Sequence, residues 1–394
     1  MAAAPTIKHV VVLIQENHTT DNYFRSMAPY GANVVANWPI AVNPPASDQP
    51  HDRHAYWQWL THQITGAHVQ FDTLVDLPFY AYLAASGAFV ENHCSGFGTN
   101  STPNHLLLVG GQSPTLRNPP RGQPSPLWDM PSVLGQAGDH GVTWRAYTGR
   151  SQYPLDFYTQ LKGSPNIVSV ANFAADARAG KLPTLSYIWH DSPLDEHPPA
   201  NVTLGHDAIW QAVDAVVKAN LWTDTVFMLT WDDWGGYDDH VATPNVEITP
   251  DGIQCAFGPR VPLLMFGGHV KPGIDSRWSS HVSIPRTVLQ LLGLPALGVP
   301  RLDQAGGLAD LVVAGVSNPA PPPFGTALNM PPVPSPTPPP NPLPPPPVAS
   351  PTPVPRIILR NGKTLPPPND APLPHAAPTR PPKRHPRRPV RSVG

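Results

Sequence analysis

Ten residues, Trp231–His240 (WDDWGGYDDH), carry four carboxylates directly after Thr223–Thr230 (TDTVFMLT), an apolar run that reads as a buried strand. Acids so close together repel one another and lose hydration unless a cation, a shared proton or open water relieves them. Trp231, Trp234 and Tyr237 speak against a fully solvated loop, and Gly235-Gly236 allows a sharp turn or a close approach to a ligand. Asp232 and Asp233 are therefore candidate ligands for a hard divalent cation. Oxygen donors suit Ca²⁺ or Mg²⁺ best, and imidazoles in reach would admit Mn²⁺ or Zn²⁺. Glu16 and Asn17 supply two more oxygens at the end of IKHVVVLIQ (Ile7–Gln15); the plainer reading of that pair is a turn or helix cap. His240 either joins the site or caps its loop.

A second stretch, GTNSTPNHLLLVGG (Gly98–Gly111), offers a nucleophile. Pro103 suits the first position of a helix with Thr102 as its N-cap, which sets Ser101 just ahead of a helix N-terminus. Backbone N–H groups and the dipole there favour phosphate. A hydroxyl beside a divalent cation can attack phosphorus; as the alternative, both hydroxyls only cap the helix. No G-x-S-x-G elbow is present. Histidines are dense in HDRH (His51–His54) and HDSPLDEHPP (His190–Pro199), where prolines stiffen the loop around His197. Such histidines suit binding of phosphate oxygens or protonation of a leaving group. There is no H-E-x-x-H, and Cys94 and Cys255 are too few for a cysteine-rich zinc site or a disulfide scaffold; they either pair or stay buried thiols.

These side chains need a frame. Strands are expected at Ile7–Gln15, Val142–Thr148, Leu182–His190, Thr223–Trp231 and Arg260–Gly267. Helices are expected within Leu77–Gly87, with a short strand following up to Val90, and within Ser132–Gly138, Gly205–Asn220 and Ser283–Leu294. Alternating helices and doubly buried strands indicate a three-layer α/β/α sandwich with a mainly parallel sheet, whose ligands bind beyond the carboxyl ends of the strands. Glu16-Asn17, His190-Asp191 and Asp232-Asp233 all fall at such ends.

The chain has 394 residues, 13% of them charged, and a formal net charge of -2, which gives no sign of a nucleic-acid binder. About half of its 57 prolines lie beyond residue 318. Residues 1–317 are thus expected to form the folded domain and 318–394 an extended, disordered tail. The basic end of that tail, Arg380–Arg391, could touch an anionic surface or simply be solvated. No apolar run is long enough to span a membrane, and no signal peptide is visible in the first residues.

Six stretches, in order, resemble the bacterial phosphoesterases that include phospholipases C and an acid phosphatase, within the alkaline-phosphatase-like superfamily. KHVVVLIQENHTTDNYF is similar to the family's opening strand and its E-N-R-S-F-D-x-Y-F signature, STPNHLLLVGG to S/T-x-P-N-R-L, and WDDWGGYDDHV to Y-D-E-H-G-G-F-Y-D-H-V. DEHPP stands as in the family, and GPRVPLLMF and SSHVSIPRTVLQLLGL resemble its closing strand and helix. The resemblance spans about residues 5–295. It implies metal-dependent hydrolysis of phosphate mono- or diesters through a phosphoserine, on a small molecule or a phospholipid head group, by a protein outside the cytoplasm. Glu16, Asn17, Asp232 and Asp233 would hold the metal and Ser101 would be the nucleophile. His197 and His51 would serve catalysis, with Thr102, Asn104, His240 and His281 in the pocket. This chain departs from the family at His18, Thr20, His105 and Trp234. Alternatives are a non-catalytic cell-surface or binding protein that keeps the fold, and a sulfatase-like hydrolase; the latter lacks the Cys/Ser-x-Pro-x-Arg pattern at Ser101–His105.

Overall fold

The structure, a computed structural model, describes residues 6–120, 124–149, 151–248 and 254–334. Its main sheet has eight strands: β1 (His9–Gln15), β2 (Ala88–Val90), β3 (Trp144–Thr148), β4 (Ile167–Ser169), β5 (Leu185–Trp189), β6 (Thr225–Trp231), β7 (Leu263–Gly267) and β8 (Gly273–Asp275). Their spatial order is β8-β2-β7-β6-β1-β5-β3-β4, and β7 alone runs against its neighbours.

The β-branched run of β1 explains its central place. Val10, Val12 and Ile14 enter the core on one face, while Val11 and Leu13 enter the core on the other. Helices Ser101–Gly110, Val133–Asp139 and Ser283–Leu291 cover the first face; Pro78–Ser86, Phe173–Arg178 and Val202–Lys218 cover the second. The three-layer, mainly parallel expectation is met. β4 and β8 were not foreseen; β2 is equally short, but the glycine that ends the helix before it marks its place.

The boundary expected after residue 317 falls within packed chain. Trp222 Nε1 donates to Asn318 O (3.0 Å), Trp210 Nε1 to Pro322 O (3.1 Å) and Tyr30 OH to Pro331 O (2.5 Å). Phe324 sets an edge against Trp210. Proline lacks an N–H but keeps its carbonyl, so an extended Pro-rich strand is read by indole and phenol donors. The rest of the expected tail, residues 335–394 with its basic end, lies outside the described residues. Cys94 is a buried free thiol, and burial raises its pKa. No helix among the described residues is long and apolar enough to cross a membrane.

Candidate active site

Strand register assembles the acids. In the parallel pair β1–β6, Gln15 lies opposite Trp231, and Asp232 N donates to Gln15 O at 3.0 Å. Glu16 and Asp232 therefore leave the sheet side by side. Asn17 adopts a left-handed φ of 62°, and its N–H donates to Asp232 Oδ1 (3.0 Å). Gly235, at φ 58°, packs onto that turn: a Cβ there would lie 2.2 Å from Asn17 O. This contact accounts for a glycine so soon after the two aspartates. Asp233 Oδ1 accepts from Gly235 N (2.8 Å).

Ser101 arrives from a different element. Its Oγ donates toward Glu16 Oε2 (3.3 Å) and Asp233 Oδ2 (3.4 Å). It is the first residue of its helix, whose N-cap is Asn100 rather than Thr102. The helix starts early because a neighbouring loop caps it: Asn118 Oδ1 accepts from Thr102 N (2.7 Å), and Asn118 N donates to Asn100 Oδ1 (3.2 Å). Pro103, now third in the helix, has no N–H to satisfy. One of the N–H groups expected to receive phosphate is thus already engaged.

The oxygen donors fit a cation. With Asn17 Nδ2 donating to His51 Nε2 (3.2 Å), Asn17 Oδ1 lies 3.2 Å from both Asp232 Oδ1 and Glu16 Oε2. Three oxygens then face one another with no proton between them, while the buried Asp232 Oδ2 makes no hydrogen bond and lies 3.5 Å from His105 Nε2. A cation would relieve the three facing oxygens; without one, the amide gains two hydrogen bonds by turning over.

The charges agree with this crowding. Asp233 is fully buried, and burial together with the charge of Asp232 raises its pKa. Burial and Glu16 raise Asp232 likewise, and push Asp195 up to about 7. Glu16 goes the other way: burial opposes ionisation, but the hydrogen bond and charge of His105 outweigh it. His105 Nε2 donates to Glu16 Oε1 (3.0 Å), while Trp189 Nε1 donates to His105 Nδ1 (3.3 Å), which fixes the tautomer. Burial opposes a charge on that ring, and the Glu16 bond and Asp232 charge still raise its pKa.

A cavity of about 390 Å³ opens over Ser101, lined by Glu16, Thr102, Asn118, Tyr153, Asp195 and His197 among others. Thr102 Oγ1 bonds to Tyr153 OH (3.1 Å). His197 Nδ1 donates to Pro198 O (2.7 Å). Burial lowers the pKa of His197, and the charge of Glu16, the bond to Pro198 O and the charges of Asp48 and Asp232 together outweigh it. His51 closes the side next to Asn17, its Nδ1 donating to Gln49 O (2.6 Å).

Three expected pocket residues face elsewhere. Asn104 is buried and holds the preceding loop through Phe97 N and O, Thr99 O and Asn100 O. His240 bonds to Asp21 Oδ2 (2.5 Å) and Asn33 Oδ1, in an ionic knot with Arg260 and Asp239. His281 spends both ring nitrogens on backbone, accepting from Gly96 N and donating to Trp231 O. The end of β5 also delivers different residues from those expected. His190 is half-buried and outside the cavity lining, with burial of its ring lowering its pKa to about 4, and Asp195 and His197 reach the cavity instead.

Sequence reasoning missed His105, noted only as a departure from a family arginine, and Tyr153, whose isolated position gives no signal. It also passed over Glu196 inside DEHPP. This carboxylate is fully buried, at φ 70°, and accepts from Tyr23 OH (2.9 Å), Tyr80 OH (2.5 Å), Trp231 Nε1 (2.9 Å) and Gln15 Nε2 (3.0 Å). It ties the residues just before Glu16 and Asp232 to the loop that presents His197.

A doubly covered parallel sheet with an oxygen-rich cluster and a hydroxyl at its carboxyl edge defines a class of hydrolase-type sites. Comparison with known proteins gives the family. Residues 7–295 match the model of the Phosphoesterase family, and the chain belongs to that family. It is 24% identical over 273 residues to non-specific phospholipase C6 of Arabidopsis thaliana, covering 62% of this chain and 52% of that protein. It is 24% identical over 315 residues to phospholipase C B of Mycobacterium tuberculosis, covering 60% of each. The chain thus spans between half and two thirds of these relatives' length. A solved alkaline phosphatase superfamily protein from Vibrio parahaemolyticus aligns with a TM-score of 0.45 at 15% identity, over 79% of this chain and 72% of that one.

Proposed function

We propose that the protein is a metal-dependent phosphoesterase that works through a phosphoserine on Ser101. The observation that carries this reading is the approach of Ser101 Oγ to Glu16 and Asp233, within 3.3 and 3.4 Å, at the floor of a polar cavity. Glu16, Asn17, Asp232 and Asp233 would hold a divalent cation such as Ca²⁺ or Mg²⁺. When bound, that cation would favour the alkoxide of Ser101 and offset negative charge on the phosphoryl oxygens.

The chain's own groups supply the rest. Ser101 O–H is already directed at the Glu16 and Asp233 carboxylate oxygens, either of which can take its proton. Oγ attacks phosphorus in line and the bond to the leaving oxygen breaks. His197 gives that oxygen a proton, and Thr102 and Tyr153 hydroxyls donate to phosphoryl oxygens in the cavity. Water then attacks the phosphoserine, its proton passes to His197, and Ser101 regains its own.

Hydrolysis of p-nitrophenyl phosphate, bis-p-nitrophenyl phosphate, p-nitrophenylphosphorylcholine and p-nitrophenyl sulfate, with and without EDTA, tests the reading. Turnover of at least one phosphate ester, lost in EDTA and restored by cation, supports it. Turnover of the sulfate alone, or of none, refutes it and favours a sulfatase-like or non-catalytic protein.

A further inference from the structure

Glu16 leaves the end of β1 on a flexible side chain, yet its two oxygens face two different partners. Oε2 accepts from the Ser101 hydroxyl at 3.3 Å, and Oε1 accepts from the His105 ring at 3.0 Å. Ser101 and His105 stand four residues apart in the helix Ser101–Gly110. Residues at that spacing share one face of a helix, one turn apart. A single turn thus closes on both oxygens of one carboxylate, and the same turn carries the hydroxyl.

The ring is held to this task from behind. Trp189 Nε1 lies 3.3 Å from His105 Nδ1. An indole only donates, so Nδ1 accepts and Nε2 carries the N–H aimed at Glu16. Strand pairing sets the indole in place: Trp189 ends β5 opposite Ile14 of β1, two residues before Glu16. Tyr153 sets its ring at 84° to the imidazole, with 5.2 Å between centroids. His105 has no exposed surface, so bulk water cannot replace these partners. Asp232 Oδ2, which makes no hydrogen bond, lies 3.5 Å from the same Nε2, so the N–H stands between two of the acids. Arginine, which the family pattern has at this position, donates from every nitrogen. A histidine donates toward Glu16 only from the right nitrogen, and Trp189 selects it.

We propose that His105 is a positioning residue of the site: with its tautomer set by Trp189, it clamps Glu16 in the attitude that serves both the cation and Ser101. His105 does not line the cavity and acts through Glu16. The proposal deepens the phosphoesterase reading and rests on it.

The test uses the full chain, stripped of metal with EDTA and dialysed. Ca²⁺ and Mg²⁺ are titrated by calorimetry into the wild type, His105→Leu, His105→Gln and Trp189→Phe, with urea unfolding as the check on folding. Leu keeps apolar bulk without a donor, and Gln restores a side-chain N–H at a reach like that of Nε2. His105→Leu should bind the preferred cation about 10–100-fold more weakly, as removal of a partner behind a metal ligand does, and His105→Gln should stay within about threefold of the wild type. Trp189→Phe, which removes only the donor to Nδ1, should bind severalfold more weakly. At saturating cation, kcat of His105→Leu on whichever p-nitrophenyl phosphate ester the wild type turns over should fall at least about tenfold with KM little changed. Equal or tighter cation binding in His105→Leu overturns the proposal, as does a wild type that binds neither cation. A Gln variant as weak as the Leu variant also overturns it, because the ring would then only fill space. If His105→Leu does not fold, Trp189→Phe decides, and wild-type affinity there overturns the proposal. Cation binding weakened by Leu and rescued by Gln, in a protein that turns over no phosphate ester, would sustain the clamp and remove the reaction assigned to the site.

Discussion

Replacing Asp233 by Asn separates what the acid cluster costs from what it does. Asp233 shares a buried site with Asp232 and Glu16, and its pKa is raised by burial and by the charge of Asp232. Two carboxylates ~4–8 Å apart repel by ~2–4 kcal/mol at an effective dielectric constant of ~20. Asn keeps the bond that Oδ1 accepts from Gly235 N and removes the charge. In EDTA, Asp233→Asn should therefore be more stable than the wild type by about 2 kcal/mol, a gain discounted for the proton the wild-type cluster can share. With cation at about 100 times its dissociation constant, the wild type should gain about 2.7 kcal/mol and the variant far less, so the order reverses. Urea unfolding with and without Ca²⁺ or Mg²⁺ reads both effects without any assay of activity. A variant less stable than the wild type in EDTA, yet equally stabilised by cation, would refute the reasoning about both charge and metal.

Other expectations follow from the same contacts. His197→Gln should lower the first-turnover rate on alkyl phosphate esters by about 10²–10⁴-fold and spare the first-turnover release of p-nitrophenolate, which needs no proton, while slowing the later hydrolysis of the phosphoserine on both; equal first-turnover losses on both would remove the general-acid role. Trp210→Ala with Trp222→Ala should release residues 318–331, which lose two indole donors, and limited proteolysis near residue 318 should accelerate at least severalfold; unchanged cleavage would mean the segment is held by other contacts. Burial lowers the pKa of His93 to about 3 and of His190 to about 4. Below pH ~6.5 the unfolded chain takes up protons on these two rings that the folded protein refuses, so each ring makes stability fall as pH drops, by about 1.4 kcal/mol per pH unit between its unfolded and folded pKa. Raised acids such as Asp195 act in the opposite sense, so urea unfolding of the wild type and of His190→Gln at pH 7 and pH 5 isolates one ring: the variant should lose less stability on acidification, and an identical pH dependence of the two proteins would contradict it.

The sheet was legible because β1 and β6 are long, apolar and followed at once by acids, so their edge could be located from the chain alone. Ser101 was legible from the proline that marks the helix, although the helix begins earlier because Asn118, from a distant loop, caps it. Long-range partners of this kind leave no local trace. The same holds for His281 and His240, whose side chains resembled site residues but are consumed by Trp231 O and by Asp21. His190 and His197 share one dense stretch, and only the fold distinguishes which of the two half-buried rings lines the cavity. Proline content marked residues 318–334 as non-core, yet extended chain can still be held through its carbonyls, as Trp210, Trp222 and Tyr30 hold it here.

The proposed reaction turns on a covalent step at one hydroxyl. Acid quenching during turnover of a phosphate ester, followed by peptide mass spectrometry, should find phosphate on Ser101 in the wild type and none in Ser101→Ala, which should still fold and bind cation. Phosphate on Thr102, or turnover that persists in Ser101→Ala, would contradict it.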